Sequence, residues 1–222
     1  MDRSIYSGIK ELFGIVGTKG VSEAEIDGVR RVCGMIPYVL ELYYREVGGD
    51  ERVNHTQNTL ILPGEYTWAK TESHLMIYAE NQGVCFWGIS KNDLHMDDPP
   101  VYVTFDNENL KEWELESSRL TDFLIAMAHV HAGFALPYAS NDMYTISEAE
   151  ANIIRNHFRK KCEPLMRWLN GGEESGVEFY GNHPCDSIVL LRNADYDLYY
   201  ASGSKAYFDE MNELLSTLGE AY

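Results

Sequence analysis

Residues 74–90, HLMIYAENQGVCFWGIS, decide the fold class. Two apolar and aromatic runs, 74–80 and 84–90, flank Asn81, Gln82 and Gly83, which predicts a hairpin with a three-residue turn. Working outward, the upstream residues are helical. Ser4 precedes Ile5, Ile9, Leu12, Phe13 and Val16 at helical spacing. Ser22 and Glu25 form a capping box ahead of Ile26, Val29, Val32 and Cys33, with Gly34 as the stop. Pro37 opens a third pattern, Val39, Leu40, Tyr43, Tyr44 and Val47, closed by Gly48 and Gly49. Downstream, the Asp97-Asp98-Pro99-Pro100 turn leads into VYVTF (101–105), another strand pattern. Residues 111–117, KEWELES, alternate, with Trp113 and Leu115 on one side and Glu112, Glu114 and Glu116 on the other. That alternation predicts a strand with one wet acidic face. Helices together with short strands place the chain in the α+β class.

A helix is expected over 119–131, packing Leu120, Phe123, Leu124, Met127 and His131. The stretch 123–141, FLIAMAHVHAGFALPYASN, carries no formal charge, which brings it near the length of a membrane span. Its two histidines, Gly133, Pro137 and the polar end argue instead for a core helix followed by a buried turn. We divide the chain into residues 1–140 and a C-terminal α+β extension, 141–222, packed on the first unit. Within the extension, Ser147 and Glu150 repeat the capping box. The helix behind them is expected to run to Leu165, with a bend at Pro164. GVEFYGN, SIVLLRN and YDLYYAS read as three strands, and residues 206–218 as a closing amphipathic helix.

Composition narrows the function. The 222 residues carry a net charge of −17, which argues against nucleic acid and an anionic membrane as direct ligands. Acidic residues outnumber basic ones 21 to 11 in 1–140 and 14 to 7 in 141–222, so neither unit is a basic module. The four cysteines, Cys33, Cys85, Cys162 and Cys185, are scattered without a CxxC pair, and no secretory-type leader is evident. Both features point to a reduced cytoplasm.

The chain has no P-loop, GxGxxG, HExxH or GxSxG motif. We therefore expect no catalytic residues, no metal and no cofactor. His129 and His131 lie two apart, so on a helix they point in nearly opposite directions and cannot share a metal. Asp97 and Asp98 could serve magnesium or acid–base chemistry, but adjacent residues in a proline-stiffened loop seldom converge on one ion. A solvated turn is the first reading and a binding loop the second. Glu112, Glu114 and Glu116 are either a solvated face or a docking face for a basic partner. Arg155, Arg159, Lys160, Lys161 and Arg167 form the one basic cluster. We read it as charge balance along a helix within an acidic protein. Phe86 and Trp87 are neighbours on one strand and face opposite ways, so one of them occupies the outer face.

The order of these signals resembles the SUKH superfamily, which includes fungal cell-wall-assembly regulators and many bacterial immunity proteins. The resemblance rests on Ser22, Glu25, Gly34, Pro37 and Gly48-Gly49, then Trp-Gly-Ile at 87–89, Asp-Pro-Pro-Val at 98–101, and the Phe123-Leu124 helix. It covers residues 18–135 and leaves 141–222 outside. It implies a mixed or antiparallel sheet with helices packed on it, no catalysis, and a role in binding. The expectation is a cytoplasmic immunity protein that neutralises a cognate toxin domain, such as a nuclease whose phosphate-binding site an acidic antidote would mimic. The alternatives are a housekeeping regulatory scaffold of the same fold, or a hydrolase using Asp97, Asp98 or a histidine. The expected docking surface, for a basic protein partner, is Asp93, Asp97, Asp98, Glu112, Glu114 and Glu116, with Trp87 as anchor if it faces outward. The sequence does not indicate an oligomeric state.

Overall fold

A computed structural model describes residues 4–63, 73–106, 108–167 and 175–222. In chain order the elements are α1 (Ser7–Phe13), α2 (Glu23–Cys33), α3 (Tyr38–Glu46), α4 (Glu51–Asn54), β1 (Asn58–Leu60), β2 (His74–Glu80), β3 (Phe86–Ser90), β4 (Val101–Thr104) and β5 (Glu114–Ser117). There follow α5 (Leu120–Ala135), β6 (Tyr138–Ala139), β7 (Tyr144–Ile146), α6 (Glu148–His157), β8 (Gly176–Tyr180), β9 (Asp186–Arg192), β10 (Tyr196–Ser202), α7 (Lys205–Leu215) and β11 (Glu220–Ala221). The class is α+β, with two antiparallel sheets.

The first sheet has the order β1-β2-β3-β4-β5 and the second β11-β7-β10-β9-β8, with β6 also paired to β10. Both capping boxes form. In each, the serine hydroxyl accepts from the backbone N–H of the glutamate while the glutamate carboxylate accepts from the serine N–H. The β2–β3 hairpin forms with a turn longer than the three residues expected, because Glu80 is turned inward. Its carboxylate accepts from the N–H groups of Gln82 at 2.7 Å and Val84 at 3.2 Å.

α5 is the shared core. On one side Phe123 meets Tyr78 and Trp87 of the first sheet, and on the other His129 meets Phe179 of the second. A single apolar cluster joins Trp87, Val103, Phe123, Met127, Phe179, Val189 and Tyr199. Strand β9 alternates between two cores. Val189 and Leu191 face the α5 layer, while Ile188 and Leu190 face a second cluster with Ile154 of α6 and Met211 and Leu215 of α7. The layers are therefore sheet, helices, sheet, helices. Among the described residues no helix is long and apolar enough to cross a membrane.

Two expected elements differ. The helix begun at Ser147 ends at His157, and the chain then runs extended beside β8, with bridges Lys160 to Tyr180 and Leu165 to Val177. A helix through Pro164 would lack one hydrogen bond and clash one turn back, while the extended path pairs the edge of β8. The second sheet begins at Tyr138, inside the segment assigned to the first unit, because β6 adds to β10.

Candidate functional site

The expected acidic face depended on strict alternation through 111–117, and a β-bulge breaks that alternation. Val101 pairs with Ser117, but the next residue, Tyr102, pairs with Leu115, so Glu116 is the extra residue between them. Beyond the bulge the facing inverts: Glu114 and Leu115 are exposed, whereas Glu116 and Ser117 are buried. Glu116 therefore cannot contact a partner. Its carboxylate accepts from Trp87 Nε1 at 3.3 Å and from the backbone N–H groups of Met166 at 2.6 Å and Arg167 at 3.1 Å. Burial raises its pKa despite these donors. Trp87, the expected anchor, is also fully buried, because its face of β3 is the one that packs on α5. Phe86 takes the outer face and is half-buried.

Asp98 is also committed elsewhere. It accepts from Arg119 Nε at 2.9 Å and from the Thr121 backbone N–H at 2.8 Å, so it caps the start of α5 from a distant loop. Asp97 is exposed, and its carbonyl accepts from the Val39 N–H. Asp93 is half-buried, with Tyr102 Oη donating to its carboxylate at 3.5 Å. The Asp97–Asp98 loop enters β4 at Val101, whereas Glu114 pairs with Val103 near the other end. The two acidic groups thus sit at opposite ends of one strand rather than in one patch.

What the fold does bring together is a cleft of about 480 Å³ beyond the β4–β5 ends. It is lined by Val103, Phe105, Asp106, Asn109, Glu112 and Glu114. Of the expected residues only Glu112 and Glu114 belong to it. Arg167 Nη1 meets Glu114 at 2.6 Å, a cation from the second unit docked on the acidic rim. The rim loop is held in place by its own contacts. The Asp106 carboxylate accepts from Asn109 N–H at 3.0 Å and Lys111 N–H at 3.4 Å, and these bonds lower its pKa. Leu110 is held at φ 55°, a left-handed conformation unfavourable for leucine, by its own burial and by Trp113 Nε1 donating to its carbonyl. Asp106 and Asn109 were missed as site residues. Their sequence signal is the short polar turn directly after Phe105.

Histidines 129 and 131 face opposite sheets as their spacing requires. His129 Nδ1 lies 3.1 Å from Ser187 Oγ, and His131 Nδ1 lies 2.9 Å from Thr56 Oγ1. Among the described residues no three His, Cys, Asp or Glu side chains converge as a metal site, and the four cysteines are free. Comparison with protein-family models, with curated proteins and with solved structures finds no match.

Proposed function

We propose that this chain is a non-catalytic, cytoplasmic binding protein that docks a basic partner protein on the acidic cleft of its first sheet, as an immunity protein occludes a toxin domain. One observation carries the reading: Asp106, Glu112 and Glu114 line one concavity with Phe105, on a rim pinned by Asp106 and Leu110. A pinned rim loses little entropy on binding, the carboxylates steer a basic surface, and the half-buried Phe105 offers an apolar contact. Arg167 on Glu114 shows the kind of contact the rim accepts, and a partner's arginine would compete for it. The resemblance of the motif order to that of the SUKH superfamily supports the same reading.

The test is affinity capture from the native cell at low salt, with the wild type and with Glu112→Lys, followed by association kinetics with the captured basic protein at two ionic strengths. Charge reversal at Glu112 is expected to slow association and flatten its salt dependence, and Phe105→Ala to speed dissociation. Association indifferent to both salt and Glu112 would overturn the proposal.

A further inference from the structure

A second concavity, of about 420 Å³, lies on the other side of α5, where α1 meets the 159–161 and 181–184 segments. Its electrostatics are the reverse of the rest of this acidic chain. The bridge between Lys160 and Tyr180 is flanked by two hydrogen bonds, Lys161 N–H to the Phe179 carbonyl and Gly181 N–H to the Arg159 carbonyl. Strand alternation then puts Arg159 and Lys161 on the face of Phe179, toward α5 and His129. Lys160 takes the opposite face, where its ammonium pairs with Glu163. The basic cluster is thus sorted by geometry. Arg155, Lys160 and Arg167 have carboxylate partners, whereas Arg159 and Lys161 have none among the described residues.

Lys161 is half-buried, and its ammonium donates to the His183 carbonyl, which leaves two protons unused. Gly181 makes room for it, since a Cβ there would stand 2.7 Å from Lys161 Cε and 3.0 Å from Asp186 Cβ. Asp186 makes no ion pair with Lys161, but its charge acts on the ammonium and favours the protonated form against burial. Its carboxylate accepts from Ser202 Oγ at 2.8 Å and from the His183 N–H at 3.0 Å. Glu11 is the one acid in the lining, and Ile5, Ile9 and Ile125 give the cleft an apolar wall.

We propose that this cleft binds a small phosphate monoester carrying an apolar arm. Arg159 and Lys161 supply two cations for the two charges such a group carries near neutral pH, and the guanidinium fork of Arg159 can hold two of its oxygens. A monocarboxylate would leave one cation uncompensated. The net charge of −17 does not forbid this, because beyond about 8 Å at physiological salt remote charges are screened and the nearest cations decide. The apolar arm would lie along Ile5, Ile9 and Ile125, and the volume suits a ligand of that size.

Calorimetric titration of the full chain with phenyl phosphate, inorganic phosphate and benzoate, at constant ionic strength, tests the proposal. We expect one saturable site for phenyl phosphate, at least tenfold tighter than for inorganic phosphate, which lacks the arm, or benzoate, which lacks the second charge. Arg159→Ala, at an exposed position without a carboxylate partner, should weaken binding at least tenfold while leaving the circular-dichroism spectrum unchanged. Lys161→Met should do the same if the fold survives. Absence of saturable phenyl phosphate binding, equal affinity for benzoate, or binding unaffected by Arg159→Ala would each overturn the proposal.

Discussion

His129 and His131, two positions apart on one helix, hold opposite sheets: the first meets Ser187 of β9 at 3.1 Å and the second meets Thr56, next to β1, at 2.9 Å. Ser187 Oγ donates its one proton to the His129 carbonyl at 2.9 Å, so His129 Nδ1 must be the donor in their other contact. Both rings are buried as neutral groups at the centre of the molecule.

This burial predicts acid instability. Desolvation pushes both histidines down to about 3, well below their ordinary value of about 6.5. A base depressed in the folded state contributes stability that is fully present above its unfolded pKa and is lost as pH falls. The loss should begin near pH 6.5 and continue toward 3, at up to about 1.4 kcal/mol per pH unit for each histidine. Urea denaturation from pH 7.5 to 4.5 checks this. His74, half-buried and held down to about 4, adds to the same slope, so replacing His131 by leucine should remove about a third of the histidine contribution, and an unchanged slope would exclude the mechanism.

The position of α5 was largely legible in the sequence. A charge-free run with two histidines and a glycine can only be a core helix if it does not span a membrane, and i to i+2 geometry sends the histidines apart. The capping boxes were legible too, because their bonds are local. Glu116 was not. A bulge is a tertiary compromise between the β4–β5 register and the packing of Trp87, so period-two reasoning placed Glu116 outside and Leu115 inside when the reverse holds. The helix end at His157 was obscured for a similar reason: the alternative, pairing with β8, lies in residues 176–180, far along the chain. The candidate site moved accordingly from a predicted acidic face to a cleft containing two of its glutamates.

Glu116 makes a second prediction. Glu116→Ala would remove the carboxylate that accepts from the Trp87 indole N–H and from the N–H groups of Met166 and Arg167. The expected cost is about 2–4 kcal/mol in urea denaturation at neutral pH. The pH sign is opposite to that of the histidines. A carboxyl raised by burial contributes most below its unfolded pKa, and that contribution fades as pH rises through the folded value. The wild-type advantage over the alanine variant should therefore be larger at pH 4 than at pH 8.

Gly133 makes a third, where local and tertiary reasoning disagree. Alanine is the better helix former by about 1 kcal/mol. A Cβ on Gly133, however, would lie 2.1 Å from Tyr199 Cε2 and 2.4 Å from Cδ2, in a ring that is itself nearly fully buried. Tyr199 cannot step aside without opening the α5–β10 contact, so overpacking of about 1–3 kcal/mol should win and Gly133→Ala should lower the melting temperature. A raised melting temperature would mean that α5 stands further from β10 than these distances require.

The last prediction concerns the autonomy of the C-terminal segment. Residues 141–222 hold all five strands on the second sheet's main path and both outer helices, so they could be mistaken for a domain. Only one face of that sheet is covered by its own helices, through Ile154, Met211 and Leu215. The other face, with Val177, Phe179, Val189, Leu191 and Tyr199, is buried solely in the cluster built around α5, and each of these side chains is less than 10% exposed in the whole chain. Without residues 1–140 this face would become a contiguous apolar and aromatic patch, and the β6 strand beside β10 would be missing as well. The segment expressed alone should therefore associate or bind a hydrophobic dye, and should show no cooperative thermal transition as a monomer. A monomeric 141–222 that melts cooperatively would mean that the α6–α7 core suffices, and that α5 only decorates a sheet stable without it.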